Sequence, residues 1–401
     1  MKSGRNWGRL GMKSEWTMKK LYEIVELNPK ESIQKGNIAK KVAMDQLVPF
    51  CREVKGYIEE KFSGGMKFRN GDTIMARITP CLENGKIAQV SILEDGEIGF
   101  GSTEYIVFRA KTGMADSNYI YYLVCSPIIK EPAIKSMVGS SGRQRVQLDV
   151  VQNLDIPVPP LDEQKRIGIF LSKIDEKISL NNKINDNLLQ QAQSIFSQEF
   201  LSFEYIPDGW KKSSLLGIAD YLNGLAMQKY RPKEGEQGFP VLKIKELRQG
   251  FCDSSSELCS PSINPKYIIH DGDVIFSWSG SLLIDFWCGD TCGLNQHLFK
   301  VTSTIYDKWF YYAWTNHHLQ KFAAIAADKA TTMGHIKREE LSKATVLIPS
   351  QSDYDRIGAL LAPLYDLVIS NRVENRKLAL LRDELLPRLM SGQLDILEVS
   401  L

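Results

Sequence analysis

Ile156–Gly168 reads IPVPPLDEQKRIG and Val346–Gly358 reads VLIPSQSDYDRIG. Both stretches close on Arg-Ile-Gly, and both place a proline, Pro159 or Pro349, seven residues before the arginine. The offset between them is 190 residues, and it also aligns Arg145-Val146 with His335-Ile336, Leu171 with Leu361, Asn181 with Asn371, Asn185 with Asn375 and Leu188 with Leu378. A second anchor lies earlier in each half: Trp16, Leu21 and Ile24 match Trp210, Leu215 and Ile218 at an offset of 194. A third, Phe68–Ile74 (FRNGDTI), resembles Ile269–Ile275 (IHDGDVI) at an offset of 201. Anchors that keep their order while the offset drifts are the mark of a duplicated domain with loop insertions.

Each copy divides into a globular part and a helix. In the globular parts, Thr73–Ile78, Tyr105–Phe108, Val274–Trp278 and Leu298–Val301 alternate like short strands bounded by Gly-Asp turns. Asn118–Ser126 and Lys308–Ala327 read as helical patches, so a mixed α+β domain is expected in each copy. Proline and aspartate start signals at Pro159–Asp162 and Pro349–Asp353 then open two long helices. Apolar residues follow at Ile167, Leu171, Ile174, Ile178, Leu188, Ala192 and Ile195, and at Ile357, Leu361, Leu364, Val368, Leu378, Leu385 and Leu389. This 3-4 spacing is that of a coiled-coil seam. Asn181 and Asn185 interrupt the first seam and Asn371 and Asn375 the second, at the same phase. Buried seam asparagines fix register because their amides need each other; a wetter helix face is the plainer alternative. If the two helices pair with each other, the repeat most simply makes them antiparallel, with a globular part at each end of a rod of roughly 50 Å. The expected organisation is a lead-in at residues 1–15, domains at 16–158 and 206–348, and helical spacers at 159–205 and 349–401.

Composition adds limits. The chain has 401 residues, 43% hydrophobic and 24% charged, which is ordinary for a soluble globular protein. No apolar run is long enough to span a bilayer, and the basic N-terminal stretch lacks the apolar core of a signal peptide, so a cytoplasmic location is expected. Seven scattered cysteines read as reduced thiols. Cys252, Cys259, Cys288 and Cys292 fall within one stretch, but more loosely than zinc spacings require, and no metal site is expected. The net charge is +2. A chain holding many DNA phosphates alone would be more basic, so either the cations concentrate on one face or partner chains share that contact.

The paired Trp-x4-Leu-x2-Ile starts, the Gly-Asp-x-Ile turns, the Pro160–Ile167 signature and the helix ending Leu385–Gly392 (LLPRLMSG) together resemble the specificity subunit of type I restriction–modification systems. The resemblance runs from Trp16 to Leu394; the second copy departs from it where Gln351-Ser352-Asp353-Tyr354 replaces Leu-Asp-Glu-Gln. It implies an α+β fold with two target-recognition domains separated by two long helices that form an antiparallel coiled coil. It also implies that each domain reads half of a split double-stranded DNA site. The helices would set the spacing and dock two methyltransferase (modification) subunits. Restriction and translocase subunits complete the assembly, and the partners rather than this chain use S-adenosylmethionine, magnesium and ATP.

Chemistry within the chain is not expected. The nearest string to an adenine methyltransferase loop is Asn264-Pro265-Lys266-Tyr267, with lysine in place of the second proline. No phosphate loop is present. Asp175-Glu176-Lys177 sits on a helix and reads as a solvated face. Reading bases needs Arg, Lys, Asn, Gln and Ser on loops. Candidates in the first copy are Lys67, Arg69 and Arg77, then Asn84 and Lys86, then the run Ser140, Ser141, Arg143, Gln144 and Arg145. In the second copy they are Lys243, Lys245 and Arg248, then Ser277, Trp278 and Ser279, then Lys329, Thr331, Thr332 and His335. The competing reading is a coiled-coil scaffold or regulatory protein that binds protein partners, which the near-neutral charge favours.

Overall fold

The structure is a computed structural model that describes residues 15–140, 142–328 and 336–399. The expected lead-in up to Ser14 and the candidates Ser141, Lys329, Thr331, Thr332 and His335 lie outside the described residues. The chain divides into two units, Met1–Ile178 with Leu378–Leu401, and Ser179–Lys377.

In unit 1 the order is β1 (Thr17–Lys20), α1 (Leu21–Ile24), β2 (Val25–Leu27), β3 (Ile38–Val42), β4 (Ile58–Lys61), β5 (Met66–Phe68), β6 (Thr73–Ala76), β7 (Ile87–Gln89), β8 (Gly99–Gly101), β9 (Tyr105–Ala110), α2 (Ser117–Cys125), α3 (Pro127–Lys135), α4 (Leu148–Gln152), β10 (Asp155–Val158) and the start of α5 (Leu161–Leu201). Three sheets form: β2-β9-β6-β7, β4-β3-β8-β5 and the pair β1-β10. Among the described strands of this unit, only β3 and β8 pair in parallel. Strand β6 is buried at every residue rather than alternately. Met75 joins the core beneath α2 and α5, while Ile74 joins a second core with Val42 and Phe68. A sheet covered on both faces reads as a continuous apolar run, which explains the departure from alternation.

Unit 2 writes the same topology again. It holds the end of α5, then β11 (Lys211–Ser214), α6 (Leu215–Ile218), β12 (Asp220–Asn223), β13 (Phe239–Leu242), α7 (Ile244–Gln249), β14 (Leu258–Cys259), β15 (Ile268–Ile269), β16 (Val274–Ser277), β17 (Leu283–Phe286), β18 (Cys292–Leu294), β19 (Leu298–Thr302), α8 (Lys308–Asp328), α9 (Arg338–Lys343), β20 (Thr345–Ile348) and most of α10 (Gln351–Met390). Its sheets are β12-β19-β16-β17, β14-β13-β18-β15 and β11-β20, with β13 and β18 parallel. Every strand of unit 1 has its counterpart ten places later. The helices differ for local reasons. The residue before a proline is driven out of the helical region, and Ser126, before Pro127, is extended at φ −71°, ψ 160° and splits α2 from α3. Lys308–Asp328 has no proline and stays one helix.

A tryptophan locks each copy to its long helix. Trp16 Nε1 donates to Glu163 Oε2 at 3.0 Å, and Trp210 Nε1 donates to Asp353 Oδ2 at 2.9 Å. The second copy therefore keeps the carboxylate at the 190-residue offset although its surrounding motif has changed. A hydrogen bond to a charged acceptor of this kind contributes about 1.5–3 kcal/mol.

The long helices pair within each unit. In unit 2, Asn181 Nδ2 donates to Asn375 Oδ1 (2.8 Å) and Glu374 Oε2 (2.6 Å), and Asn371 Nδ2 donates to Asn185 Oδ1 (2.9 Å). Further along, Arg356 grips Glu199 at 2.8 Å. Partners descend along α10 as residues rise along α5, so the pairing is antiparallel. Asn181 is only 1% exposed, so the asparagines satisfy each other in a closed layer. In unit 1, Ile167 and Leu171 share a core with Leu385, Leu386 and Leu389. Two expectations are corrected. Asp175 is not a solvated carboxylate: it accepts from Arg382 and from the Tyr122 hydroxyl, both at 2.6 Å. At the end of α5, Phe196 and Phe200 rather than Ile195 take the buried positions, because the spacing there lengthens to four and turns the larger rings inward.

Candidate nucleic-acid interface

Strand β6 sorts the candidates of the first copy, because they lie beyond its opposite ends. At its start sits the Gly71-Asp72 turn. Asp72 accepts from the Arg69 amide at 2.8 Å and from Arg109 Nε and Nη2 at 2.8 and 2.6 Å. Glu31 completes the network, taking Arg69 at 2.5 and 2.9 Å and Arg109 at 2.6 Å. The Arg69 hydrogen bonds, with Arg109 beside it, hold the Glu31 carboxyl at about 2. Arg69 thus spends its donors inside the domain and holds this turn. Lys67, also on this side, lies 5.3 Å over the Phe62 ring.

Beyond the other end of β6 a small surface assembles. The Arg77 amide donates to Glu104 O at 2.9 Å, and the Val146 amide donates to Arg77 O at 2.9 Å. Val138 and Arg145 exchange backbone hydrogen bonds of 3.1 and 2.9 Å, which brings Gly139 and Ser140 close to residues 142–144. Gly139 has φ +135°, and a side chain there would stand 2.9 Å from the Arg143 carbonyl oxygen, so only glycine fits there. Thr79 ties the neighbouring loop to this stretch through its amide, 3.0 Å from Gln144 O. Arg77, Ser140, Arg143, Gln144 and Arg145 are thereby brought together. Arg143 is exposed and its guanidinium has no partner among the described residues. Arg145 is held by Glu104, with Nε at 2.9 and 3.0 Å and Nη2 at 2.6 Å. Asn84 stands exposed on the loop after Thr79, and Lys86 Nζ donates to the Met44 carbonyl at 2.8 Å.

The second copy builds the equivalent surface from other side chains. A cleft of about 470 Å³ is lined by Gln228, Arg231, Lys243, Lys245, Gln296 and His297, among others. Lys243 and Arg231 share Glu257 at 2.5 and 2.8 Å, and Lys245 binds Asp253 at 3.1 Å. Ser279 Oγ lies 3.2 Å from His297 Nδ1, and Trp278 Nε1 donates to Asn223 at 3.0 Å. Lys243, Lys245 and Ser279 therefore meet around His297. Arg248 is exposed on α7 and does not line the cleft. Ser277 is corrected: it is 0% exposed, its hydroxyl turned onto Ser279 O at 3.2 Å, because β16 is covered on both faces. Glu104, Gln296 and His297 were missed. They occupy Ser102–Glu104 and Asn295–His297, the short polar runs between β8 and β9 and between β18 and β19, and the repeat places these runs in register.

The four clustered cysteines do not converge. Cys259, Cys288 and Cys292 are buried in three different apolar clusters, and Cys252 packs in the cluster that holds Cys292. Burial pushes the Cys288 thiol up to about 11. Among the described residues no three His, Cys, Asp or Glu side chains are grouped to hold a metal ion.

The family described as type I restriction modification DNA specificity domain matches residues 13–190 and again 207–379, one match per copy. The chain belongs to this family. Among its relatives, the type I restriction enzyme MjaIX specificity subunit of Methanocaldococcus jannaschii is 24% identical over 305 residues, which is 71% of this chain and 70% of that one. The type I restriction enzyme EcoAI specificity subunit of Escherichia coli is 34% identical over 167 residues, 40% of this chain and 28% of that protein. The crystal structure of the type I restriction–modification system S subunit from M. genitalium superposes with a TM-score of 0.58 at 14% identity, covering 96% of this chain and 98% of that chain. That likeness is one of fold. DNA recognition is the role that fits the specificity family. No described helix is long and apolar enough to cross a membrane.

Proposed function

We propose that the chain is the non-catalytic DNA-reading subunit of a type I restriction–modification complex, acting in the cytoplasm. Each recognition domain reads one half of a split, asymmetric double-stranded site, and the paired helices set the spacer and dock two methyltransferase subunits. Restriction and translocase subunits join them, and S-adenosylmethionine, magnesium and ATP act on these partners. One observation carries this reading: the same strand order presents different polar groups at matching loop ends. Arg77, Glu104 and Arg145 stand in the first domain where Trp278 and His297 stand in the second. A scaffold kept constant while its loop-end side chains change is suited to reading two different sequences.

The test uses the specificity chain assembled with its methyltransferase partner. Replacing Arg143 and Arg145 together with alanine is expected to lower binding to the cognate duplex about 30-fold or more, since each bidentate arginine–base contact is worth ~1–3 kcal/mol, with assembly intact. Unchanged cognate binding contradicts the reading for this loop.

A further inference from the structure

Arg145 is fixed more firmly than a surface arginine needs to be. Its backbone pairs with Val138 on one side and bridges Ile78 on the other. Its side chain is 44% exposed, yet Nε and Nη2 both point at the Glu104 carboxylate. Glu104 is itself anchored: its amide donates to Ser102 Oγ at 3.1 Å, and its carbonyl takes the Arg77 amide. Exposed ion pairs contribute little to stability, about 0–1 kcal/mol. What this arrangement supplies is orientation. A guanidinium has two edges that can each make paired hydrogen bonds. Glu104 occupies the Nε–Nη2 edge, and on the Nη1–Nη2 edge of this half-exposed side chain there is a single long contact of 3.4 Å from Nη1 to Arg143 O. The Nη1–Nη2 edge matches O6 and N7 of guanine in a major groove.

Resting on the reading that this loop faces DNA, we propose that Glu104 is a positioning residue that locks Arg145 to read one guanine in the half-site of the first recognition domain. The Arg145 hydrogen bonds hold the Glu104 carboxyl below the usual carboxylate range, so the lock stays charged at neutral pH. Among the described residues the second domain has no such pair at this place: His297 occupies the position of Glu104 and meets Ser279 instead.

The test maps methylated sites in cells carrying the full complex with R145A, E104A or E104Q. The expected result is that R145A and E104A relax the same single G·C position of one half-site, lowering discrimination there about tenfold or more, with the other half-site and the spacer unchanged. E104Q, which keeps an acceptor without the charge, relaxes that position less. In vitro, 7-deazaguanine at that position lowers kcat/KM for the unmodified complex and has no further effect on R145A. If R145A relaxes a position while E104A and E104Q leave it intact, the positioning role is overturned and the loop's DNA reading stands. If R143A and R145A both leave the half-site intact, the loop does not face DNA and both ideas fall. Uniform weakening at every position marks Glu104 as merely stabilising and also overturns the proposal. E104Q carries the test if E104A does not fold.

Discussion

The two recognition domains share ten strands in one order, yet the first closes its loop end with an arginine–glutamate lock and the second with a histidine among amides and hydroxyls. The contrast separates what the fold requires from what the site requires. Positions kept in both copies are structural: the indole–carboxylate bonds of Trp16 and Trp210, the Gly-Asp turns, and the glycine of Arg-Ile-Gly. Where β6, β9, β16 and β19 meet their loops, Arg77 and Glu104 of the first copy give way to Trp278 and His297 of the second. Duplication thus acts as an internal control, because each copy shows which residues the other could have changed.

The Gly-Asp turn offers the largest expected difference in stability between the copies. In the first, Glu31 binds Arg69 and Arg109 together; in the second, Lys300 and the His270 amide hold Asp273 at 2.7 and 2.9 Å. Replacing Glu31 with glutamine leaves two guanidiniums short of an anion and is expected to cost about 2–3 kcal/mol, measured by denaturant unfolding. The pH dependence follows with its sign. The folded Glu31 carboxyl titrates near 2, below the usual 4.5, so its contribution is complete above about 4.5 and is lost as pH falls towards 2. E31Q should remove that acid-side loss from the first domain; an unaltered acid transition contradicts the assignment.

A smaller difference lies in the repeated glycine. A side chain on Gly168 would stand 2.8 Å from the Tyr119 amide nitrogen and 2.9 Å from Asp116, where α5 passes the start of α2. On Gly358 it would meet only the Trp309 ring, at 3.1 Å. Backbone does not yield as a ring does. G168A is therefore expected to cost ~1–3 kcal/mol and G358A under about 1 kcal/mol, by thermal unfolding of each variant. Equal losses would mean the two helices approach their domains alike.

The repeat was legible in the sequence because tryptophans, Gly-Asp turns and apolar seams report burial directly. Even the weakest match, Gln351–Tyr354, concealed a retained function: Asp353 keeps the bond of Glu163 with one methylene fewer. The reading surface was less legible. Arg69 and Arg145 look alike in sequence, but β6 puts them beyond opposite ends and gives one to a turn and the other to the surface. Ser277 follows the polar pattern of a reader and is sealed in a sheet covered on both faces. Glu104 and His297 carried no signal alone, since an acid seldom suggests DNA contact; only the strand register shows that they share a place.

The most direct test is a map of methylated adenines in cells carrying the complex with R143A/R145A in the first domain, or K243A/H297A in the second. The account predicts a bipartite motif in which each pair of substitutions degrades one half only, a different half for each pair, with the spacer constant. Loss of both halves together from either pair, or a single continuous motif, would contradict it.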